Sequence, residues 1–486
     1  MSENDFLFWS AAELVAAFKS KELSPVEVTS ASLARAEKVQ ARCNPITEFF
    51  AETALAAAKK AEARYAASNG NSNGNSNGGP RPLEGVPMAV KEEFALCGSV
   101  RASGSLLFAD KVDEHTDVYI QRLLDGGAIP IVKTTTPEFC LLGSTWSRRY
   151  GITTNPWNNE VTCGGSSGGS GVALASGISP IATGTDIGGS IRIPASACGV
   201  FGYKPPYGRN PEVPVFNLNY YSHSGPMARS VADIITMQEL TAGQDSSDIA
   251  SLPKPPPIIT NPDHLRGLRV AITTTLCGYE IDDAVAANFT AACRLIADAG
   301  AHVEEVDLGW PDSLPAIAET YLSASWGASL QELAETDGDD MCPYALAYAN
   351  ASKMCNIRDI IDANTAAWQA YDKLGPLLEN YDILLCPTNA ATDIPADYGF
   401  PNQDYKINGE TRTGGEDKLW LTSPFNMLSR LPVMSVPTGF GTGNVPTGMQ
   451  IVGRAYDDAG VLNAALAYEG LLGWIFDAAH RPNEAL

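Results

Sequence analysis

The residues best suited to chemistry lie between Cys163 and Arg209, where two glycine–serine knots, Gly164–Ser170 and Gly188–Ser190, bracket an apolar segment. Glycine lets successive backbone N–H groups converge where a Cβ would clash. A serine beside such a nest supplies what acyl transfer needs, a hydroxyl nucleophile within reach of donors for the oxyanion. A flexible linker does not explain the stretch, because Val172, Leu174 and Ile181 interleave with the knots and Arg192-Ile-Pro194 follows directly. Cys163 adjoins the motif and reads as a bystander. Ten cysteines contain no C-x-x-C pair, and the five histidines (115, 223, 264, 302, 480) never fall in H-x-x-x-H spacing, so a zinc ribbon or metallohydrolase is disfavoured. No Gly-Lys pair occurs, which removes the P-loop. The chemistry is expected to need no metal and no organic cofactor.

Two mechanisms compete for the stretch. Gly164-Gly-Ser166-Ser-Gly168 formally matches G-x-S-x-G, the nucleophile elbow of α/β-hydrolases, which requires an acid and then a histidine later in the chain. His223, His264, His302 and His480 are available but lack supporting context, and the elbow leaves Asp186-Ile-Gly-Gly-Ser190-Ile-Arg192 unexplained.

The second mechanism comes with a resemblance. Gly164–Gly169, Gly184–Pro194 and Gly199–Pro205 together strongly resemble the amidase signature family. The likeness extends upstream to Gly85–Lys91 and Lys133–Phe139, and downstream to Gly225–Asp233, Leu431–Pro437 and Gly448–Gly453, in the expected order over nearly the whole chain. It implies a Ser–Ser–Lys triad: Ser190 as nucleophile, Ser166 as the proton-passing serine after a cis Gly165–Ser166 bond, and Lys91 as base. It also implies an oxyanion hole from the backbone N–H groups of Ile187, Gly188, Gly189 and Ser190. Arg192 is expected to support the Ser166/Ser167 loop, Ser167 to bond within that loop, and Asp186 to accept from loop N–H groups. Independently, a lysine can act as base when burial or nearby positive charge keeps it neutral, and Lys91 closes an apolar strand.

The chain departs from the family pattern at Lys91-Glu92-Glu93, where Lys-Asp is common, at Lys204-Pro205-Pro206 and at Arg101–Ser105. None of these removes a triad member. The segment Val213–His223 is aromatic and amphipathic. Phe216, Tyr220 and Tyr221 are expected to offer pocket surface, with core packing an equal alternative. The context Gly199–Arg229 also looks similar to carbamate-cleaving (urethanase) members of the family. The implied function is hydrolysis of neutral aryl or alkyl amides and carbamates; the alternatives are a glutaminase-type subunit of a transfer-RNA amidotransferase and a Ser-His-Asp esterase.

The elements that must position these residues follow from periodicity and caps. Ser10-Ala-Ala-Glu13 and Ser24-Pro-Val-Glu27 fit the capping box, the second with Pro at the first helical position. Residues 1–67 read as a helical cover and 68–82, an Asn/Gly/Ser-rich tract, as a flexible loop. Thr116/Asp117 is expected to cap a helix through Leu124. Strand and helix patterns then alternate through Gly85–Val90, Ile129–Val132, Gly168–Ser176, Ile181–Thr185, Leu268–Thr273, Asp282–Ala299, His302–Val306, Ile383–Cys386 and Val433–Val436. This predicts an α/β fold, a single large catalytic domain over 83–486 with a mixed, mostly parallel twisted sheet flanked by helices.

A net charge of −23 repels phosphate backbones, and no basic patch offsets it, so nucleic acid is an unexpected partner. No apolar run is long enough to span a bilayer, and the opening residues lack a signal-peptide pattern. The expected setting is the cytoplasm, the expected partner a small-molecule amide or carbamate, and the expected state a monomer or homodimer.

Overall fold

The computed structural model describes residues 5–67, 79–214, 216–399, 403–473, 476 and 480–482. Residues 68–78, most of the Asn/Gly/Ser tract, lie outside the described residues. The first helices are α1 (Ala11–Ser20), α2 (Pro25–Cys43) and α3 (Ala51–Ala67). The Ser10/Glu13 capping box is complete, whereas Ser24 caps α2 through the Glu27 N–H alone. Asp117 occupies the cap position of α4 (Val118–Asp125) but its carboxylate accepts from the Ala95 N–H instead.

Eleven strands form the main sheet: β1 (Ile46–Phe49), β2 (Pro87–Lys91), β3 (Ile129–Thr134), β4 (Ile181–Thr185), β5 (Phe201–Lys204), β6 (Ser224–Ala228), β7 (Arg269–Ile272), β8 (His302–Glu305), β9 (Ile383–Pro387), β10 (Val433–Phe440) and β11 (Pro446–Gly453). Their order is β1-β3-β2-β4-β6-β5-β10-β11-β9-β7-β8. The sheet is mixed, as expected. Its parallel blocks are β3-β2-β4 and β9-β7-β8, and antiparallel strands join them through the middle. Within the region read as wholly helical, β1 adds an antiparallel edge strand to β3. Strands β2, β6, β9 and β11 are buried along their whole length, and in β2 (Pro87-Met-Ala-Val-Lys91) and β9 (Ile383-Leu-Leu-Cys-Pro387), both with a parallel neighbour, this accounts for the near-continuous apolar sequence.

Helices cover both faces of this sheet, among them α5 (Gly168–Ala175), α6 (Arg192–Cys198), α7 (Val231–Thr241), α8 (Asp283–Asp298) and α9 (Leu314–Leu322). The leading helices are bonded to this body by buried polar groups. Asp233 of α7 accepts from the N–H groups of Ala11 and Ala12, two of the donors that the start of α1 leaves unpaired. Arg229, fully buried, donates to the carbonyls of Leu7 and Trp9 on one side and of Leu174 and Ser179 on the other.

Candidate active site

Parallel pairing of β2 with β4, Met88 opposite Ile181 and Ala89 opposite Ala182, brings the C-terminal ends of both strands together. In open α/β sheets this edge is where ligands bind. Lys91 is the last residue of β2, and its backbone N–H donates to Thr183 Oγ1 at 2.9 Å. The loop leading into α5 carries Ser166, and the loop between β4 and α6 carries Ser190. The Gly165–Ser166 bond is cis, as the family resemblance implied. A Cβ on Gly165 would sit 2.4 Å from the Ser144 carbonyl oxygen, so only glycine passes at that point.

Lys91 is wholly buried and its Nζ lies 2.8 Å from Ser166 Oγ, 2.5 Å from Thr185 Oγ1 and 3.0 Å from Glu93 Oε2. Burial works against charge on Lys91, but the groups around it, the Cys140 sulfur, the Glu93 carboxylate and, further off, Asp186, outweigh it and hold its pKa above that of an ordinary lysine. Burial would likewise raise Glu93, and Lys91 brings it below the usual carboxylate range. At neutral pH the site therefore rests as an ion pair. Ser166 and Ser190 line one small cavity with Glu93, Cys140, Thr185 and Phe216.

The backbone around Ser190 divides sharply by hydrogen bonding. Asp186 N–H donates to the His223 carbonyl, and the N–H groups of Ile191 and Arg192 donate to Asp186 Oδ2. Between them, the N–H groups of Ile187, Gly188, Gly189 and Ser190 donate to no acceptor among the described residues. Buried amides are nearly always paired, so a run of free donors beside a serine marks a place for an anionic oxygen. Gly189 holds φ +134, and a Cβ there would lie 2.0 Å from Thr422 Oγ1.

A buried ion pair holds this loop. Arg192 Nε and Nη2 donate to Asp186 Oδ2 and Oδ1, each at 2.9 Å. The rest of the guanidinium reaches Asn426 Oδ1 at 2.6 Å, Gln450 Oε1 at 2.7 Å and the Thr422 carbonyl at 3.0 Å. Burial alone would raise the Asp186 pKa, but the Arg192 guanidinium holds it well below the usual carboxylate range. Asp186 thus accepts from loop N–H groups as expected. Arg192 differs from expectation: it bonds Asp186 and distant C-terminal residues rather than the Ser166/Ser167 loop. Ser167 likewise differs from expectation: instead of bonding within its own loop, its N–H donates to the Ser190 carbonyl at 3.2 Å and its Oγ to the Thr185 carbonyl at 3.4 Å, tying the two serine loops together.

Outward from Ser190 a second cavity is walled by Leu142, Leu322, Trp326 and Trp420, with the carboxylates of Glu319 and Glu416 also on its lining. Burial raises both acids, Glu319 to about 6 and, with the Glu319 charge beside it, Glu416 to about 8. Of the three aromatic residues expected in the pocket, Phe216 lines the inner cavity, its ring 4.5 Å from that of Trp326. Tyr220 and Tyr221 line neither cavity. Both pack against Tyr321, Tyr221 stacked on it at 4.1 Å and fully buried, so the core-packing alternative describes them.

Sequence reasoning passed over Glu93 and Thr185, although Glu93 stood in plain view as part of the Lys91-Glu92-Glu93 departure. Glu319, Glu416, Asn426 and Gln450 carried no local signal. The histidine-dependent elbow has no counterpart here. His223, lowered to about 3 by burial and by Lys204, is bonded to the Asp186 and Ser429 carbonyls, and no described histidine is bonded to Ser166 or Ser190.

Residues 27–462 match the Amidase family model. An acylamidase of Rhodococcus erythropolis is 30% identical over 498 residues, covering 100% of this chain and 99% of that protein. A component of the glutamyl-tRNA(Gln) amidotransferase of Chloroflexus aggregans is 31% identical over 512 residues, 98% of each. Among solved structures, a bacterial aryl acylamidase of the amidase signature enzymes superposes with a TM-score of 0.84 at 27% identity, over 96% of this chain and 97% of that one. Among the described residues no helix is long and apolar enough to cross a membrane. With a mixed helix-flanked sheet, a family match over most of its length and relatives aligned end to end, the chain belongs to the amidase signature family and is an amidohydrolase of carbon–nitrogen bonds.

Proposed function

We propose that Ser190 is the nucleophile, Ser166 the proton carrier and Lys91 the general base for hydrolysis of neutral aryl or alkyl amides and carbamates. Lys91, once neutral, takes the proton of Ser166 while Ser166 takes that of Ser190, and Ser190 Oγ bonds to the substrate carbonyl carbon. The free N–H groups of Ile187–Ser190 receive the oxyanion. Collapse breaks the C–N bond, and the departing amine recovers the proton from Lys91 through Ser166. Water then cleaves the acyl-enzyme by the same relay.

The observation that carries this reading is the run of four unpaired amides ending at Ser190, together with the 2.8 Å Lys91–Ser166 contact. An aryl or alkyl group suits the Leu142, Leu322, Trp326 and Trp420 walls, and the likeness to an aryl acylamidase supports it. An amide and a carbamate present the same carbonyl, so the walls decide between them, at about 1–3 kcal/mol per methylene. A substrate carboxylate meets Glu319 and Glu416.

The test is covalent. A sulfonyl fluoride probe should label Ser190 in the wild type, Ser190→Ala should lose turnover and labelling, and peptide mass mapping reads the site. An adduct on Ser166 instead sinks the assignment. A second reading, the glutaminase component of an amidotransferase, draws on the 31% identity to the Chloroflexus aggregans protein over 98% of both chains. It predicts glutaminase activity and co-purification with other amidotransferase components, whereas the first reading predicts autonomous hydrolysis of an anilide.

A further inference from the structure

Three oxygens surround Lys91 Nζ: Ser166 Oγ, Thr185 Oγ1 and Glu93 Oε2. An ammonium has three N–H donors and no lone pair, so the protonated lysine donates to all three. A neutral amine has two N–H groups and one lone pair. The Thr185 hydroxyl donates to Glu93 Oε2, which turns its own lone pairs toward Lys91, and an ionised Glu93 can only accept. Two fixed acceptors for two N–H groups leave the lone pair to Ser166.

We infer that Glu93 is a positioning residue for Lys91: directly and through Thr185 it engages the N–H groups that do not face Ser166, and so aims the amine lone pair at the Ser166 hydroxyl. This rests on the reading of Lys91 as base. The other groups around the lysine do not share the role. Cys140, from the turn after β3, is a thiol pushed up to about 12 by burial and by Glu93, and is neutral below that pH. Asp186, from the loop after β4, is bonded to Arg192. Glu92 bonds the N–H groups of Ala102 and Ser103, and the cation that acts on it is Lys133 rather than Lys91. Glu93 is the one carboxylate in contact with Nζ among the described residues.

The same contact stabilises the ammonium, so it sets where the lysine becomes a base. Activity should rise with pH toward an alkaline plateau, and removing the Glu93 charge should move that acid limb downward. The experiment is the pH profile of kcat/KM on an anilide, with the rate of sulfonyl fluoride labelling as a second readout, for wild type, Glu93→Gln, Glu93→Asp and Lys91→Ala. Glu93→Gln should shift the limb down by about one pH unit, a roughly tenfold gain in the fraction of plateau activity on the limb. Its plateau should fall because the lone pair is no longer held. Glu93→Asp, which keeps the charge but shortens the reach, should lie between the two in both quantities, and it carries the test if Glu93→Gln does not fold. A merely structural role lowers the plateau and leaves the limb in place. An unmoved limb in the folded variants, beside an inactive Lys91→Ala, overturns the Glu93 assignment alone. An active Lys91→Ala with a wild-type limb overturns the base itself.

Discussion

Asp186→Asn isolates the charge that holds the oxyanion loop. The substitution keeps the side chain's shape and removes the carboxylate that meets Arg192 through two 2.9 Å bonds, with both residues fully buried. Leaving one partner of a buried pair uncompensated costs about 3–5 kcal/mol. A protein of ordinary stability has only about 5–15 kcal/mol in hand. The Arg192 bonds to Asn426, Gln450 and the Thr422 carbonyl remain, and they keep the guanidinium buried where its charge has no counterion. Guanidinium unfolding followed by circular dichroism should therefore show a loss in that range. The double variant Asp186→Asn/Arg192→Met removes both charges and should recover most of it. The pH dependence has a definite sign. Because the folded pKa of Asp186 is depressed, the pair's contribution is whole above the unfolded carboxylate value of about 3.9 and is lost as pH falls through the folded one. The gap between wild type and Asp186→Asn should thus be constant from pH 8 to about 5 and narrow only in stronger acid. A gap under about 1 kcal/mol at pH 7, or a double variant no more stable than the single one, refutes this account.

Two further outcomes are open to direct measurement. Gly189→Ala places a Cβ against Thr422 at a φ of +134, so the donors must move, and kcat should drop about 100- to 1000-fold, as for a lost oxyanion donor; an unchanged kcat on a folded variant contradicts the oxyanion role. An amide bearing a free carboxylate should be a poor substrate, and increasingly so from pH 6 to 9 as Glu319 and then Glu416 ionise; Glu319→Gln/Glu416→Gln should relieve the penalty, and a carboxylate preference in the wild type rules out the acidic wall as a determinant.

What could be seen in the sequence was whatever chemistry is local. The strand that ends at Lys91 announced itself through the apolar run Val86–Val90, the strand that opens at Ile181 through its place between two turn signals, and the two serine loops through glycines that the backbone cannot replace. The Arg192 partners could not be seen that way. Asn426 and Gln450 lie 234 and 258 residues downstream and meet the guanidinium only because β10 and β11 fold back to the centre of the sheet. Glu319 and Glu416 likewise come from α9 and a short turn with no shared periodicity. Tyr220 and Tyr221 expose a different limit: aromatic composition reports a demand for burial, and Tyr321 satisfies it as well as a ligand does.

The bonds from Asp233 and Arg229 to the leading helices also fix a timetable for synthesis. Ala11 and Asp233 stand 222 residues apart. At about 5–20 residues per second, a ribosome needs on the order of 11–44 s to travel between them. Throughout that interval α1 lacks both the carboxylate that caps it and the α7 residues that share a core with its Ala11 and Val15, whereas Leu14 and Phe18 can already pack with Val28 of α2 and Tyr65 of α3. The first-made helix thus has one face covered early and the other late. A chain refolding from denaturant has every partner present at once, whereas a nascent chain must hold the Ala11 and Val15 face of α1 out of harm until β6 and α7 emerge.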